Sequence, residues 1–338
     1  MKELSTRKKI ILRRILQSYI ETASPVGSSL LVRKYRLNYS PATVRNEMAD
    51  LEELGYIKQP HTSAGRIPTD KGYRTYVDNL MKHGQLSPED RKCIQSRMET
   101  SGGDINLFLE EVSKILGKIS RELSVVLTPW ICWGIFDRLE LIKLTGRKVL
   151  VVIHVQRRLV KTVILEVESE ISPKDMEETA TMLNERLSGL SLEEIKNTIH
   201  DRMRDVGRGD RALLQRLIKS VSDIFDFSEP LEVHTCGTQN ILVQPEFSDI
   251  SMMERILALI DDRKELVHLF RRKVNKTEVN IGQENRDKRF QPFTVVTACY
   301  HRGKDVGALG VIGPTRMQYS KILPLVDYTA RAMSQYLS

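Results

Sequence analysis

The chain has 338 residues, 41% of them hydrophobic, which is enough for two or three cores and too long for one ordinary domain. Its formal net charge of +8 is concentrated at one end, because residues 1–83 hold 15 Lys and Arg against 8 Asp and Glu while the rest hold 37 against 36. Four scattered cysteines without a Cys-x-x-Cys pair, seven histidines without a metal-binding spacing, and a longest charge-free apolar run (Leu123 to Phe136) interrupted by Pro129 exclude a disulfide framework, a zinc site and a membrane span, so a reduced cytoplasmic protein without metal or cofactor is expected.

In chain order, Ser5 caps a first helix with Ile11, Leu12, Ile15, Leu16 and Tyr19 on its buried stripe. The basic side chains Lys8, Lys9, Arg13 and Arg14 on its other face either meet phosphates or are simply solvated. Ser28 or Ser29 caps a short helix to Tyr35, and Ser40-Pro41 opens the next, since proline's fixed φ suits the first helical position and its missing N–H costs nothing there. Val44, Met48, Leu51 and Leu54 form the apolar stripe of that helix, and Gly55 stops it. Tyr56–Gln59 and Arg66–Pro68 are short extended runs around the small polar tip 60–65. Helix, short turn, helix and hairpin is the order of a winged helix-turn-helix, although the same order also occurs as a packing motif that binds nothing. The local charge excess favours nucleic acid. Thr69 caps a further helix that carries Tyr73, Tyr76, Val77 and Leu80.

Beyond residue 85, Ser87-Pro88 starts a polar helix and a longer one follows over 105–123, leading into a buried strand over 124–129. Three β-rich runs, Leu139–Leu144, Val149–Val155 and Leu159–Val167, predict an antiparallel meander. Helices starting at Ser172-Pro173 and Ser191-x-x-Glu194 follow, and a third carries Leu214 to Phe225. A strand over Val233–Leu242, helices opened by Ser251-x-x-Glu254 and Asp262-x-x-Glu265, strands at Glu278–Ile281, Phe293–Tyr300 and Val306–Ile312, and a last helix over Tyr319–Leu337 complete the chain. The expected architecture is α+β and multidomain: a DNA-binding head over 1–85, a sensor-type domain over 86–135 and 229–338, and an insertion over 136–228. The meander holds more apolar positions than one small core needs, so part of it is expected to face a second copy of the chain.

The candidate DNA-binding residues are Ser40, Thr43, Arg45 and Asn46 at the start of the second helix of the pair, and Lys58, His61, Thr62, Ser63 and Arg66 around the hairpin tip. Arginine suits guanine and asparagine suits adenine, so Arg45 and Asn46 are the base readers, with Glu47 on the same exposed face. Hairpin cations suit phosphates or the minor groove. No catalytic constellation appears. The run Gly307 to Gly313 lacks the Gly-Lys-Ser/Thr ending of a phosphate loop and reads as a closely packed inner strand.

The sequence resembles the HrcA heat-inducible transcription repressors of bacteria. The motifs are ProValGlySer at 25–28, SerProAlaThrValArgAsnGluMet at 40–48, LeuGluGluLeuGlyTyr at 51–56, ProHisThrSerAlaGlyArgIleProThr at 60–69, LysGlyTyrArg at 71–74, Ile281-Gly282 with Glu284-Asn285, and GlyAlaLeuGlyValIleGlyProThrArgMet at 307–317. The resemblance spans the chain, with 136–228 contributing little. It implies a homodimer that binds double-stranded operator DNA at an inverted repeat (the CIRCE element), a GAF-like domain interrupted by an inserted dimerisation domain, and the chaperonin GroEL as modulator. The competing readings are a ligand-sensing repressor whose GAF-like domain binds a small molecule, and an enzyme with a DNA-binding head, which would need a nucleotide loop not found in the sequence.

Overall fold

The structure is a computed structural model and describes residues 4–62, 64–82, 84–99, 104–130, 134–144, 147–155, 159–167, 170–204, 211–225, 232–247, 249–270, 276–303 and 305–338. It combines helices with antiparallel sheets. Two compact units are present. The first comprises Met1–Thr128, Glu232–His301 and Gly307–Ser338, and the second Pro129–Leu231 with Arg302–Val306.

The chain opens with α1 (Thr6–Thr22), α2 (Ser28–Tyr35), α3 (Pro41–Glu53), the strands β1 (Ile57–Lys58) and β2 (Ile67–Pro68), and α4 (Asp70–Thr75), which continues as a π-helical turn over Tyr76–Leu80. Then come α5 (Pro88–Glu99), α6 (Ile105–Ser120) and β3 (Leu123–Trp130). The meander follows as β4 (Phe136–Lys143), β5 (Lys148–Val155) and β6 (Leu159–Glu166), with α7 (Pro173–Leu187), α8 (Leu192–Arg202), α9 (Arg211–Lys219) and α10 (Val221–Ile224) after it. The remainder is β7 (Val233–Cys236), α11 (Thr238–Leu242), α12 (Ile250–Asp261), α13 (Arg263–Phe270), β8 (Glu278–Ile281), β9 (Phe293–Arg302), β10 (Asp305–Pro314) and α14 (Tyr319–Tyr336).

Caps explain several helix starts. Ser5, Ser40, Thr69, Ser172 and Ser191 each accept the backbone N–H three residues on, satisfying one donor that the first turn leaves free. Several expectations are corrected. Neither Ser28 nor Ser29 caps α2, which has Gly27 at its N-cap and no side-chain cap bond, and the helix expected over 105–123 ends at Ser120, where Arg121 takes a left-handed φ of 59°. The strand over Val233–Leu242 stops at Cys236, because Gly237 takes a left-handed φ of 94° and turns the chain into α11. Helix α12 is capped by Asp249, whose Oδ1 accepts from Ser251 N at 3.1 Å, and not by Ser251. The helix over Leu214–Phe225 divides at Ser220 into α9 and α10.

In the first unit a five-stranded sheet has the order β7-β3-β10-β9-β8. The glycine-rich run 307–313 lies buried within β10, between β3 and β9, as an inner strand and not a phosphate loop. One continuous apolar cluster joins α1, α3 and α4 to α6, β10 and α14, through residues such as Leu12, Leu51, Tyr73, Leu116, Leu309 and Ile322.

Glu122 is 6% exposed at the edge of this core and accepts from Gln244 Nε2 at 2.9 Å. Burial raises its pKa from 4.5 to about 8, with the Gln244 bond and the Arg316 charge opposing the shift. The folded state therefore keeps the proton up to about pH 8, whereas the unfolded chain releases it near 4.5. Stability falls as pH rises between those values, by about 3 kcal/mol at pH 7. Glu122→Gln removes this slope, so melting curves from pH 5 to 8 should show the variant gaining on the parent as pH rises. A constant difference would mean that Glu122 does not titrate in this window.

In the second unit β5 pairs antiparallel with both neighbours. The inner face, with Leu139, Val149, Val151, Ile153 and Leu165, packs in one cluster with Leu183, Ile195 and Leu217 of α7, α8 and α9. The Asn184 amide pairs with the backbone of β4, accepting from Leu139 N at 2.7 Å and donating to Leu139 O at 2.9 Å.

Candidate nucleic-acid interface

Helix α3 is the centre of the site. Ser40 Oγ accepts from Thr43 N at 3.0 Å and lies 2.9 Å from Thr43 Oγ1, so Ser40 and Thr43 are both engaged in the cap. Val44, Met48 and Leu51 bury the inner stripe. Arg45 and Asn46 stand exposed one turn in, and neither side chain makes a hydrogen bond or ion pair among the described residues. Two free donor-bearing side chains at the N-terminal end of a capped helix can enter a groove without first giving up a partner.

Glu47 belongs elsewhere than the sequence grouping suggests. Arg7 Nη1 lies 3.3 Å and Lys8 Nζ 3.3 Å from its carboxylate, and Lys8 also reaches Asp50 at 2.8 Å. Hydrogen bonds to Asp50 and then Glu47 raise the Lys8 pKa. Part of the basic face of α1 thus neutralises the acids of α3, removing negative charge that would oppose a phosphate backbone. The spacing of acids on α3 gave no sign of this, because it depends on how α1 crosses α3.

The hairpin stands beside α3. β1 pairs antiparallel with β2, with Ile57 opposite Pro68 and Lys58 opposite Ile67. Val26 adds an isolated bridge to Arg66, with bonds of 2.9 Å in each direction. Gly65 permits that approach, since a Cβ there would lie 2.6 Å from the Val26 backbone. Lys58 is exposed and its side chain has no partner among the described residues; His61 and Thr62 are exposed at the tip. Ser63 lies outside the described residues. The tip is shaped by a residue the sequence reading passed over, Gln59, whose Nε2 donates to Thr62 O at 2.9 Å and Ala64 O at 3.0 Å. An amide at the base of a short polar tip was the available signal.

Arg66 is held differently from Lys58. Its Nε lies 2.8 Å from Glu52 Oε2 and its side chain is 21% exposed. The group is therefore braced against the end of α3. We expect Lys58→Ala to weaken operator and random DNA alike and to lower the slope of log affinity against log salt by about one. Arg66→Ala is expected to leave that slope unchanged and act through hairpin position. Equal slopes for the parent and Lys58→Ala would remove Lys58 from the phosphate contacts.

The start of α4 closes on the end of α3. Thr69 Oγ1 donates to Gly55 O at 2.7 Å and Lys71 Nζ to Leu54 O at 2.7 Å, with the ammonium also 4.4 Å from the Tyr56 ring centre. A positive side chain on these C-terminal carbonyls complements the helix dipole.

Residues 106–323 match a family model described as the HrcA protein C-terminal domain. The heat-inducible transcription repressor HrcA of Chlorobium phaeobacteroides (strain BS1) is 39% identical over 349 residues, covering 99% of each chain. The protein of the same name in Chlorobaculum tepidum is 40% identical over 351 residues, covering 100% of this chain and 98% of its own. That of Geobacter sulfurreducens is 37% identical over 343 residues, covering 100% and 99%. Among solved structures, a crystal structure of a hypothetical protein superposes with a TM-score of 0.63 at 25% identity over 99% of each chain.

Proposed function

The chain belongs to the HrcA family, and from that premise we propose that it is a heat-inducible transcription repressor that grips operator DNA as a winged helix-turn-helix protein. In this reading α2 and α3 are the helix pair, α3 lies in the major groove, and the β1–β2 hairpin is the wing. The observation that carries it is the pair Arg45 and Asn46, exposed and uncommitted on α3 while the neighbouring acids Glu47 and Asp50 are bound by α1. Residues 1–85 serve as the head, 86–135 with 229–338 as a GAF-like domain, and 136–228 as the inserted dimerisation domain.

One winged helix covers one half-site, and an inverted repeat such as CIRCE requires two heads related by a two-fold axis. A second copy is supported by the outer face of the meander. Ile142, Leu150 and Ile164 lie opposite one another across β4, β5 and β6, and Ile142 and Ile164 are 45% and 58% exposed. GroEL as modulator follows from the family membership, and Val243 and Ile250 of the first unit, 82% and 70% exposed, are apolar side chains open to a partner. Added GroEL should raise the operator-bound fraction after mild heating; no change would remove it from the scheme.

Footprinting with the purified chain on promoter DNA of chaperone operons tests the main reading. Protection of both arms of an inverted repeat is expected. Protection without sequence preference would leave a general DNA-binding protein, and none would leave the helix pair as a packing motif.

A further inference from the structure

Three of the sequence motifs are not used by the DNA-facing surface: LysGlyTyrArg at 71–74, Ile281-Gly282 with Glu284-Asn285, and the ThrArgMet that ends the glycine-rich run at 315–317. Within the first unit they meet. Arg74 of α4 donates from Nε to Glu284 Oε1 at 2.8 Å, and from Nη2 both to Glu284 Oε2 and to Val279 O, the latter at 2.6 Å. Glu284 is oriented by Ile281 N, which donates to Oε2 at 2.8 Å. Its carboxylate raises the Arg74 pKa further above its ordinary value.

One turn earlier, Asp70 Oδ2 accepts from Gln283 N at 2.9 Å. This contact requires Gly282, which has φ +55° and whose Cβ would lie 2.1 Å from the Asp70 carboxylate. The loop carrying these groups is tied by Asn285, whose Nδ2 donates to Gly282 O, Phe290 O and Phe293 O at 3.2, 3.0 and 2.9 Å. A second anchor is Arg316, which donates from Nη1 to Ile20 O at the end of α1 at 2.9 Å and is itself held by Glu246 through bonds of 2.5 and 3.1 Å. Between the anchors Tyr73 packs on Tyr319 with ring centres 6.1 Å apart.

Both anchors grip elements that in turn hold α3. α4 is bonded to the C-terminal end of α3 through Thr69 and Lys71, and α1 is bonded to its outer acids through Arg7 and Lys8. A bidentate arginine fixes direction as well as distance, which a single apolar contact does not. We propose that Arg74, Glu284 and Arg316 are positioning residues for operator recognition: they set the heading of α3 from the sensor-type part of the chain, so that two heads in a dimer meet two half-sites at a fixed spacing. This rests on the repressor reading above. With the heading fixed, little orientational freedom remains to be lost when the second head binds. Loosening an anchor lowers the effective concentration of that head at its half-site without changing the chemistry of either half-site contact.

The test titrates the full chain, Arg74→Ala, Glu284→Gln and Arg316→Ala against a duplex carrying the whole inverted repeat and a duplex carrying one half-site. The expected result is that each variant keeps half-site affinity within about twofold, while its preference for the whole repeat drops by about tenfold. The charge reversal Arg74→Glu with Glu284→Arg should recover part of that preference, since it restores the ion pair but not the bond to Val279 O. An unchanged preference in all three variants overturns the proposal. So does a parallel loss on both duplexes in Arg74→Ala and Glu284→Gln, which would make the pair a structural contact. If the unmodified chain shows no preference for the repeat, the repressor reading itself fails, a result distinct from failure of the anchors alone.

Discussion

A chain carrying Ile142→Glu and Ile164→Glu is expected to sediment as a monomer and to lose its advantage on the whole inverted repeat by about 100-fold, while binding one half-site normally. The inner face of the meander is already covered by α7, α8 and α9, so its apolar side chains are accounted for within one chain. The row Ile142, Leu150 and Ile164 on the opposite face is not. Its charged surroundings include Lys148 and Glu166, paired across β5 and β6 at 3.7 Å, giving an apolar strip with a polar rim. A two-fold axis through such a strip brings it against its own copy. Two carboxylates placed there would be buried without partners in the dimer and fully hydrated in the monomer, so the change acts on association and leaves the fold intact. Persistence of a tight dimer in this variant would move the interface off the meander.

Alanine at Arg45 or Asn46 is expected to cost about 1–3 kcal/mol on operator DNA and little on random DNA. Both side chains are exposed on α3, so the fold should tolerate their loss. A guanidinium or carboxamide that reads a base edge loses its bond only where the matching base is present, whereas a phosphate contact is lost on every sequence. Equal losses on the two DNAs would reassign these residues to the phosphate backbone.

The local chemistry of the head was legible in the sequence. Ser40-Pro41 fixed the start of α3, and Gly55, with φ +78°, marked its end. The three apolar, β-rich runs of the meander, parted by short connections, were legible as β4, β5 and β6. Contacts between elements distant in sequence were not legible. Nothing in the spacing of Glu47 and Asp50 indicates that Lys8 lies against both, nor does the Arg66 position reveal Glu52 as its partner. The strand expected over Val233–Leu242 failed for a local reason: Gly237 was read as part of the strand, and its left-handed backbone ends β7 at Cys236 and turns the chain into α11. The anchors at Arg74 and Arg316 were visible as motifs but had no assigned role, since their partners lie about 200 residues or more away for Glu284 and for Ile20.

The central claim is that the exposed face of α3 reads operator bases, and a base-analogue cycle tests it most directly. Replacing each operator guanine in turn by 7-deazaguanine removes the N7 acceptor that an arginine uses, and leaves the phosphates unchanged. At one position per half-site the parent chain should lose about 1–3 kcal/mol, and Arg45→Ala should lose nothing further from the same replacement. Losses that simply add at every guanine would show that Arg45 touches none of them, and would contradict the account.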